Sequence, residues 1–306
     1  MEQPLVSVIC ISYNHERFVY KALSSLRNQH YSNIEVIIAD DCSTDQTQQE
    51  IQRFIVEHPN LNWTILFNPD NQGNCKTFND ALHYTSGKYI IDFAADDLLY
   101  NQCIEKLVER FEQLSDNYGV VFSNVDLVDV NDQFKAKHYM THANGKAVKK
   151  IPKGDVYRKL VKRYFISPVG MMMKRSVLMQ LGGYDETLAY EDFDFWIRSS
   201  RLYHYAYLDE CLVAKRITPR SLSTRFRRRG NNSMFESTAR VCQKITWLNR
   251  TKIEDEALVH RITYEIRQSI RYGASEASLI YLHLMKDLKV NRMKRMFYRI
   301  AVSLIG

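Results

Sequence analysis

Two aspartates stand side by side at 96 and 97, directly after the apolar stretch "KYIIDFAA" (88–95). Adjacent carboxylates repel, and burial makes the repulsion worse. A chain that ends a core strand on such a pair either meets a cation there or uses the charges as the acidic first turn of a following helix. A second pair, Asp40 and Asp41, precedes Ser43 and Thr44 in "DDCST", where a hydroxyl could instead serve as a helix N-cap. The stretch "NQGN" (71–74) places Asn71 and Gly73 ahead of a helical pattern with Lys76 close by. A helix N-terminus plus a cation favours a diphosphate, though a plain strand-to-helix loop reads the same way. A third acidic group, Glu191, Asp192 and Asp194 in "YEDFDFWIR" (190–198), opens a stretch with Phe193, Trp196 and Ile197 on one side.

The elements that must carry these residues alternate. Apolar, β-branched runs at 6–12, 34–40, 62–68, 88–95 and 118–128 predict strands, and amphipathic patterns at 16–29, 43–58, 74–85 and 101–114 predict helices. Continuous apolar strands between helices imply βαβ units and an α/β fold with a mostly parallel sheet covered on both faces. Ligands of such sheets sit beyond the carboxyl ends of the strands. "SYN", "DDCST", "NPDNQGN" and "DD" all fall at those ends, which points to one shared ligand more than to four separate turns. Residues 131–168 predict a loop or variable insertion. The segment 169–186 predicts a short strand, a short helix and a Gly-Gly turn, 191–202 a helix, and about 230 onward helices throughout.

The composition, 45% hydrophobic and 25% charged over 306 residues, is that of a globular protein with a sizeable core. No apolar run is long enough to span a bilayer, and "MEQPLVSVICISYN" lacks the basic start of a signal peptide, so a cytoplasmic location is expected. Six scattered cysteines without a CxxC pair fit a reducing compartment and carry no assigned role. Charge is uneven: from Lys215 onward there are 20 Lys and Arg against 7 Asp and Glu, while the first 214 residues hold 22 against 28. A basic tail on a mildly acidic body suggests a partner of negative charge.

Read together, "VSVICISYNHERFVYKALSSLRNQHYSNIEVIIADDCSTDQT", "NQGN", "AADD", "GGYDE" and "YEDFDFWIR" resemble, in order, the motifs of the family 2 glycosyltransferases, inverting enzymes of the GT-A fold, here of the bacterial polysaccharide or O-antigen type. The resemblance spans about 4–225. It implies a Rossmann-like catalytic domain over 1–225, with a nucleotide-binding half to about 130 and an acceptor half from 131, followed by a basic helical region over 226–306. It also implies hexosyl or N-acetylhexosaminyl transfer from a nucleotide-diphosphate donor, UDP-linked, to a hydroxyl of a saccharide or a polyprenyl-diphosphate-linked acceptor. Carried onto this chain, Ser12, Tyr13, Asn14, Asp40 and Asp41 would hold the nucleoside, with the Asp41 carboxylate accepting the uracil imide N–H and Asp40 orienting the loop. Asn71, Gly73 and Lys76 would lie at the diphosphate. Asp96, with Asp97, would hold Mn2+ or Mg2+, which prefers few protein oxygens and keeps places for phosphate. Asp192 would be the base, with Glu191 orienting the acceptor or the helix. Trp196 would pack in the core.

Two positions depart from the family pattern. Ala94 stands where the first Asp of Asp-X-Asp is expected, and Thr218 stands where "KRITPRS" (215–221) would carry a His. Arg216 is kept, and Arg220, Arg225 and the "RRR" at 227–229 could supply charge to the diphosphate. These departures leave a second reading, a catalytically silent nucleotide-sugar-binding or scaffold protein. A dehydrogenase is excluded by the lack of GxGxxG after the first strand.

Residues 281–305 predict one amphipathic helix with Met293, Met296, Phe297, Ile300 and Leu304 on one stripe and Arg292, Arg295 and Arg299 on another. Two explanations stand: the helix lies on an anionic membrane surface as a peripheral anchor, or it packs on the body or on a homodimer partner. Nucleic acid is not an expected partner, because no binding motif accompanies the basic tail.

Overall fold

The computed structural model describes residues 3–218 and 232–304. The chain forms two compact units that it enters alternately: 1–154, 166–186 and 202–217 in one, and 155–165, 187–201 and 218–306 in the other. The sequence reading had drawn one cut at 225.

The first unit holds β1 (Val6–Ser12), α1 (Val19–Arg27), β2 (Ile34–Asp40), α2 (Thr47–Glu57), β3 (Thr64–Phe67), α3 (Asn74–Leu82), β4 (Tyr89–Ala94), β5 (Leu98–Leu99), α4 (Cys103–Glu112), β6 (Tyr118–Val128) and β7 (Phe134–Lys137). Later segments add β8 (Met171–Lys174), α6 (Arg175–Leu181) and β9 (His204–Arg216). The strand order is β3-β2-β1-β4-β8-β6-β9-β5, with β7 beside β6. The α/β expectation and the parallel sheet hold over β3-β2-β1-β4. Beyond β4 the sheet is mixed, because β8 runs antiparallel to both β4 and β6.

Continuous apolar strands are buried on both faces, as in β1, where all seven residues are buried. α1 lays Val19, Ala22, Leu23 and Leu26 on the sheet, and α4 lays Ile104, Leu107, Val108 and Phe111 there. Each of these side chains larger than Ala22 contributes about 1.5–3 kcal/mol on burial.

Four sequence expectations change. The helix predicted from 16 begins at Val19, because Asn14 adopts a left-handed conformation (φ 58°) and the chain turns before entering it. The loop predicted over 131–168 contains β7 and, in the other unit, α5 (Tyr157–Lys162). β9 was not foreseen. Finally, 281–305 is not one helix: Lys289 at φ 54° stops one helix and Asn291 caps the next.

The second unit consists of helices: α5, α7 (Asp192–Ser200), α8 (Asn232–Leu248), α9 (Lys252–Tyr272), α10 (Ser275–Asp287) and α11 (Arg292–Ser303). Its centre is Arg261 of α9, which donates to the carbonyls of Val161 (3.1 Å) and Leu160 (3.1 Å) and to Glu265 (3.1 Å). The guanidinium lies over the rings of Tyr164 and Phe193 at 4.0 and 4.8 Å. A buried charge with every side occupied ties α5, α7 and α9 together. Thr251 and Glu254 form a capping box that starts α9.

Candidate active site

Parallel register brings the polar clusters of the first unit to one rim. Ser12 pairs with Asp40, Asp40 with Phe67, and Ile11 with Ala94, so the chain leaves β1, β2, β3 and β4 at the same level. The ladder continues one residue further through Asp41 N–H to Ser12 O, Asn68 N–H to Asp40 O and Ala95 N–H to Ile11 O, each 2.9 Å.

Asp40 is buried and accepts from Ser12 Oγ (2.8 Å), Ser43 N (2.9 Å), Ser43 Oγ (2.5 Å) and Gln48 Nε2 (2.8 Å). A buried carboxylate persists when such donors replace water, and here they shape the 41–47 loop. Ser43 Oγ also accepts the Asn14 amide at 2.9 Å, and Asn14 Oδ1 accepts the Thr44 amide at 2.8 Å, so the loops after β1 and β2 are zipped together. Helix α2 starts only at Thr47, which removes the reading of Ser43 or Thr44 as its N-cap. Tyr13 stands exposed beside them.

Asp41 accepts from Gln72 N (2.8 Å), Gly73 N (2.9 Å), Thr77 Oγ1 (2.9 Å) and Asn68 Nδ2 (3.2 Å), and Asn71 Nδ2 donates to its carbonyl (3.1 Å). Among the described residues three donors meet Oδ1 and one meets Oδ2, which leaves Oδ2 room for one further donor. The carboxylate thus holds the turn in front of α3, where Gly73 takes φ 86°, a region that favours glycine. Lys76, expected at a diphosphate, donates to Asp80 at 2.9 Å along the helix instead. The "GGYDE" turn closes on the same helix: Gly182 and Gly183 have φ 72° and 76°, Tyr184 N donates to Asn79 Oδ1 (2.8 Å), and the Tyr184 ring stacks on Phe78.

At the end of β4 the two neighbouring aspartates part. They do not begin a helix, since β5 follows at once and α4 starts only at Cys103. Asp97 is sealed at 2% exposure, and its Oδ1 accepts the Arg216 amide at 2.7 Å. Burial first, and Asp96 next, push the Asp97 carboxyl well above the usual carboxylate range, with Lys215 and Arg216 pulling the other way. Of the two aspartates expected at a metal, Asp97 is turned to the backbone of β9. Asp96 keeps 14% of its side chain exposed, and His15 Nε2 lies 3.9 Å from its Oδ2.

Arg216, expected at the donor, is only 1% exposed. Its guanidinium donates to the Asp96 carbonyl and to Asp132 and lies 4.4 Å from the Phe18 ring centre. Burial alone would raise the pKa of Asp132, but hydrogen bonds from Arg216 and Lys21 bring it below the usual value. Arg216 therefore supports the turn that presents Asp96. Arg220, Arg225 and the arginines at 227–229 lie outside the described residues.

In the second unit Asp192 is the first residue of α7 and Glu191 its N-cap; both are half-buried. Asp194, two residues on and so about 200° around the helix, is buried between Arg198 Nε and Lys244 Nζ, both at 2.6 Å. Phe193 under Arg261 and Asp194 bound by Lys244 of α8 fix the start of α7 from two sides. Trp196 is buried, as expected.

His15 and Asp132 were missed by sequence reasoning. His15 follows "SYN" directly, and its Nδ1 is buried without a partner among the described residues; only the β1–β4 pairing reveals its neighbour. None of the six cysteines is in a disulfide. Among the described residues no helix is long and apolar enough to cross a membrane, and no cluster of three or more His, Cys, Asp or Glu could hold a metal by itself.

The family described as "Glycosyl transferase family 2" matches residues 7–182, more than half of the chain. An Escherichia coli relative, a UDP-Glc:alpha-D-GlcNAc-diphosphoundecaprenol beta-1,3-glucosyltransferase, is 28% identical over 178 residues, 58% of this chain and 63% of that protein. Among solved structures, S. aureus TarS 1–349 in complex with UDP superposes with a TM-score of 0.70 at 18% identity, covering 97% of this chain and 87% of that one. The mannosyltransferase PcManGT from Pyrobaculum calidifontis, in complex with GDP-Man and Mn2+, superposes at 0.61 with 17% identity, covering 99% and 87%. These likenesses establish a shared transferase fold.

Proposed function

Because the chain belongs to glycosyltransferase family 2, we propose that it transfers a sugar with inversion from a UDP-linked donor to a hydroxyl of a lipid-linked saccharide. The observation that carries the reading is the partly exposed Asp96 carboxylate at the rim of the parallel strands, held out by the Asp97–Arg216 latch. The donor class is supported by the UDP bound to TarS, and the acceptor class by the diphosphoundecaprenol substrate in the name of the E. coli relative.

In this reading Tyr13, Asn14 and the open position on Asp41 Oδ2 hold the nucleoside. The amides at the start of α3 face the diphosphate, and Lys76 exchanges Asp80 for phosphate oxygen. A single carboxylate suits Mn2+ or Mg2+, which binds through one or two carboxylates plus substrate phosphates, so Asp96 fits such an ion. When bound, the ion offsets charge on the leaving diphosphate. Asp192 accepts the proton of the acceptor hydroxyl while that oxygen bonds to the anomeric carbon and the bond to the diphosphate breaks. Glu191 orients the same helix end.

The test is a donor screen with the full chain, Mn2+ and a panel of UDP- and GDP-sugars, read as nucleotide release in the presence of a GlcNAc-diphospho-lipid acceptor. Release from a UDP-sugar that depends on the acceptor is expected. Preference for a GDP-sugar overturns the donor class. Nucleotide binding without release from any donor favours the catalytically silent reading that Ala94 and Thr218 suggest.

A further inference from the structure

Helix α11 carries two apolar faces, and the larger one has no partner among the described residues. Its inner side seats Tyr298 and Val302, which are buried; Tyr298 Oη accepts from Arg267 Nε (2.8 Å), and Lys294 Nζ donates to Thr263 Oγ1 (3.0 Å). The apolar stripe read from the sequence lies on the other side. Met293, Met296, Phe297, Ile300 and Leu304 are 75%, 58%, 66%, 56% and 81% exposed. Their spacing of 3, 4, 7 and 11 residues gathers them into one band, across the helix axis from Tyr298 and Val302. A helix needing only to dock would bury this band and leave the other side polar.

Charge identifies the occupant. From Lys289 to Leu304 the chain has five Lys and Arg and no carboxylate. Lys289, Arg292 and Arg299 are exposed, and none is in an ion pair among the described residues. A second copy meeting this face about a two-fold axis would set these cations against their own equivalents. An anionic bilayer satisfies both features, since acyl chains take the apolar band and headgroups take the flanking arginines.

We propose that α11 docks the protein flat on an anionic lipid surface, with Met293, Met296, Phe297, Ile300 and Leu304 entering the interface and Arg292 and Arg299 at headgroup level. The length and polarity of the helix make this an interfacial contact and not a span.

The test is co-sedimentation of the full chain with phosphatidylcholine vesicles and with vesicles containing phosphatidylglycerol, at low and high salt. Binding to the anionic vesicles that weakens with salt is expected, with little to neutral ones. Arg292→Glu/Arg299→Glu and, separately, Phe297→Asp/Ile300→Asp should each lower the anionic-vesicle partition on the order of 10-fold or more. Circular dichroism checks that each variant is folded; if one is not, the other pair decides. Unchanged partition of a folded variant overturns the proposal, as does the absence of binding by the wild type. A dimer in sedimentation velocity that the Phe297→Asp/Ile300→Asp variant dissolves would assign the face to a second copy instead.

Discussion

Asp97 and Arg216, 119 residues apart, are joined by the Arg216 amide donating to the Asp97 carboxyl, and the Arg216 guanidinium donates to the carbonyl of the neighbouring Asp96. The end of β4 and the end of β9 are thereby locked, and Asp96 is left partly exposed. Replacing Asp97 with Ala strands a buried amide and should cost about 1–3 kcal/mol. Asp97→Asn keeps an acceptor of the same shape and should cost less than half as much. Urea unfolding midpoints of the two variants decide the point; equal losses would remove the hydrogen bond as the cause.

Asp192→Asn preserves shape and hydrogen bonding but cannot accept the acceptor proton. Transfer should fall about 10²–10⁴-fold, while UDP affinity by calorimetry stays within about 2-fold. Near-normal transfer by this variant would show that the base lies elsewhere.

Asp96→Ala removes the one carboxylate proposed for the ion. Donor affinity measured with and without Mn2+ should lose its metal enhancement by at least about 10-fold, the scale of losing even an outer-shell partner. The same Mn2+ enhancement in variant and wild type would rule Asp96 out as a ligand.

Glu254 gives the helical unit a pH dependence. Burial alone would raise its pKa, but the amides of Arg250 and Thr251 and the Arg201 guanidinium (2.8 Å) outweigh that and lower it below the ordinary 4.5. A lowered folded pKa means that this stability is fully present above the unfolded value and is lost as pH falls through the folded one. Glu254→Gln should therefore lower the melting temperature at neutral pH and converge on wild type as pH falls from 4.5 through the lowered folded value. A constant difference across that range would contradict the assignment.

How much of this was legible beforehand can be argued from single elements. The runs 6–12, 34–40 and 118–128 coincide with β1, β2 and β6 because a strand buried on both faces must be apolar throughout. β9 escaped notice because "LDEC" interrupts it, and its pairing with β6 shifts register around Ser123 and Asn124, so its pattern is neither continuous nor alternating. Asp96 and Asp97 look alike in sequence, yet one is sealed and the other faces the rim, a choice made by a strand more than a hundred residues later.

By itself the sequence determined the family, the βαβ order and the carboxyl-end clusters, because periodicity and local motifs record burial and turn chemistry over short distances. Only the tertiary structure decided that Asp41 braces the glycine turn, that Arg216 supports Asp96 from inside, and that the apolar band of α11 faces outward. Those outcomes depend on which distant segments share a surface, and sheet order and helix docking set that through contacts no local pattern encodes.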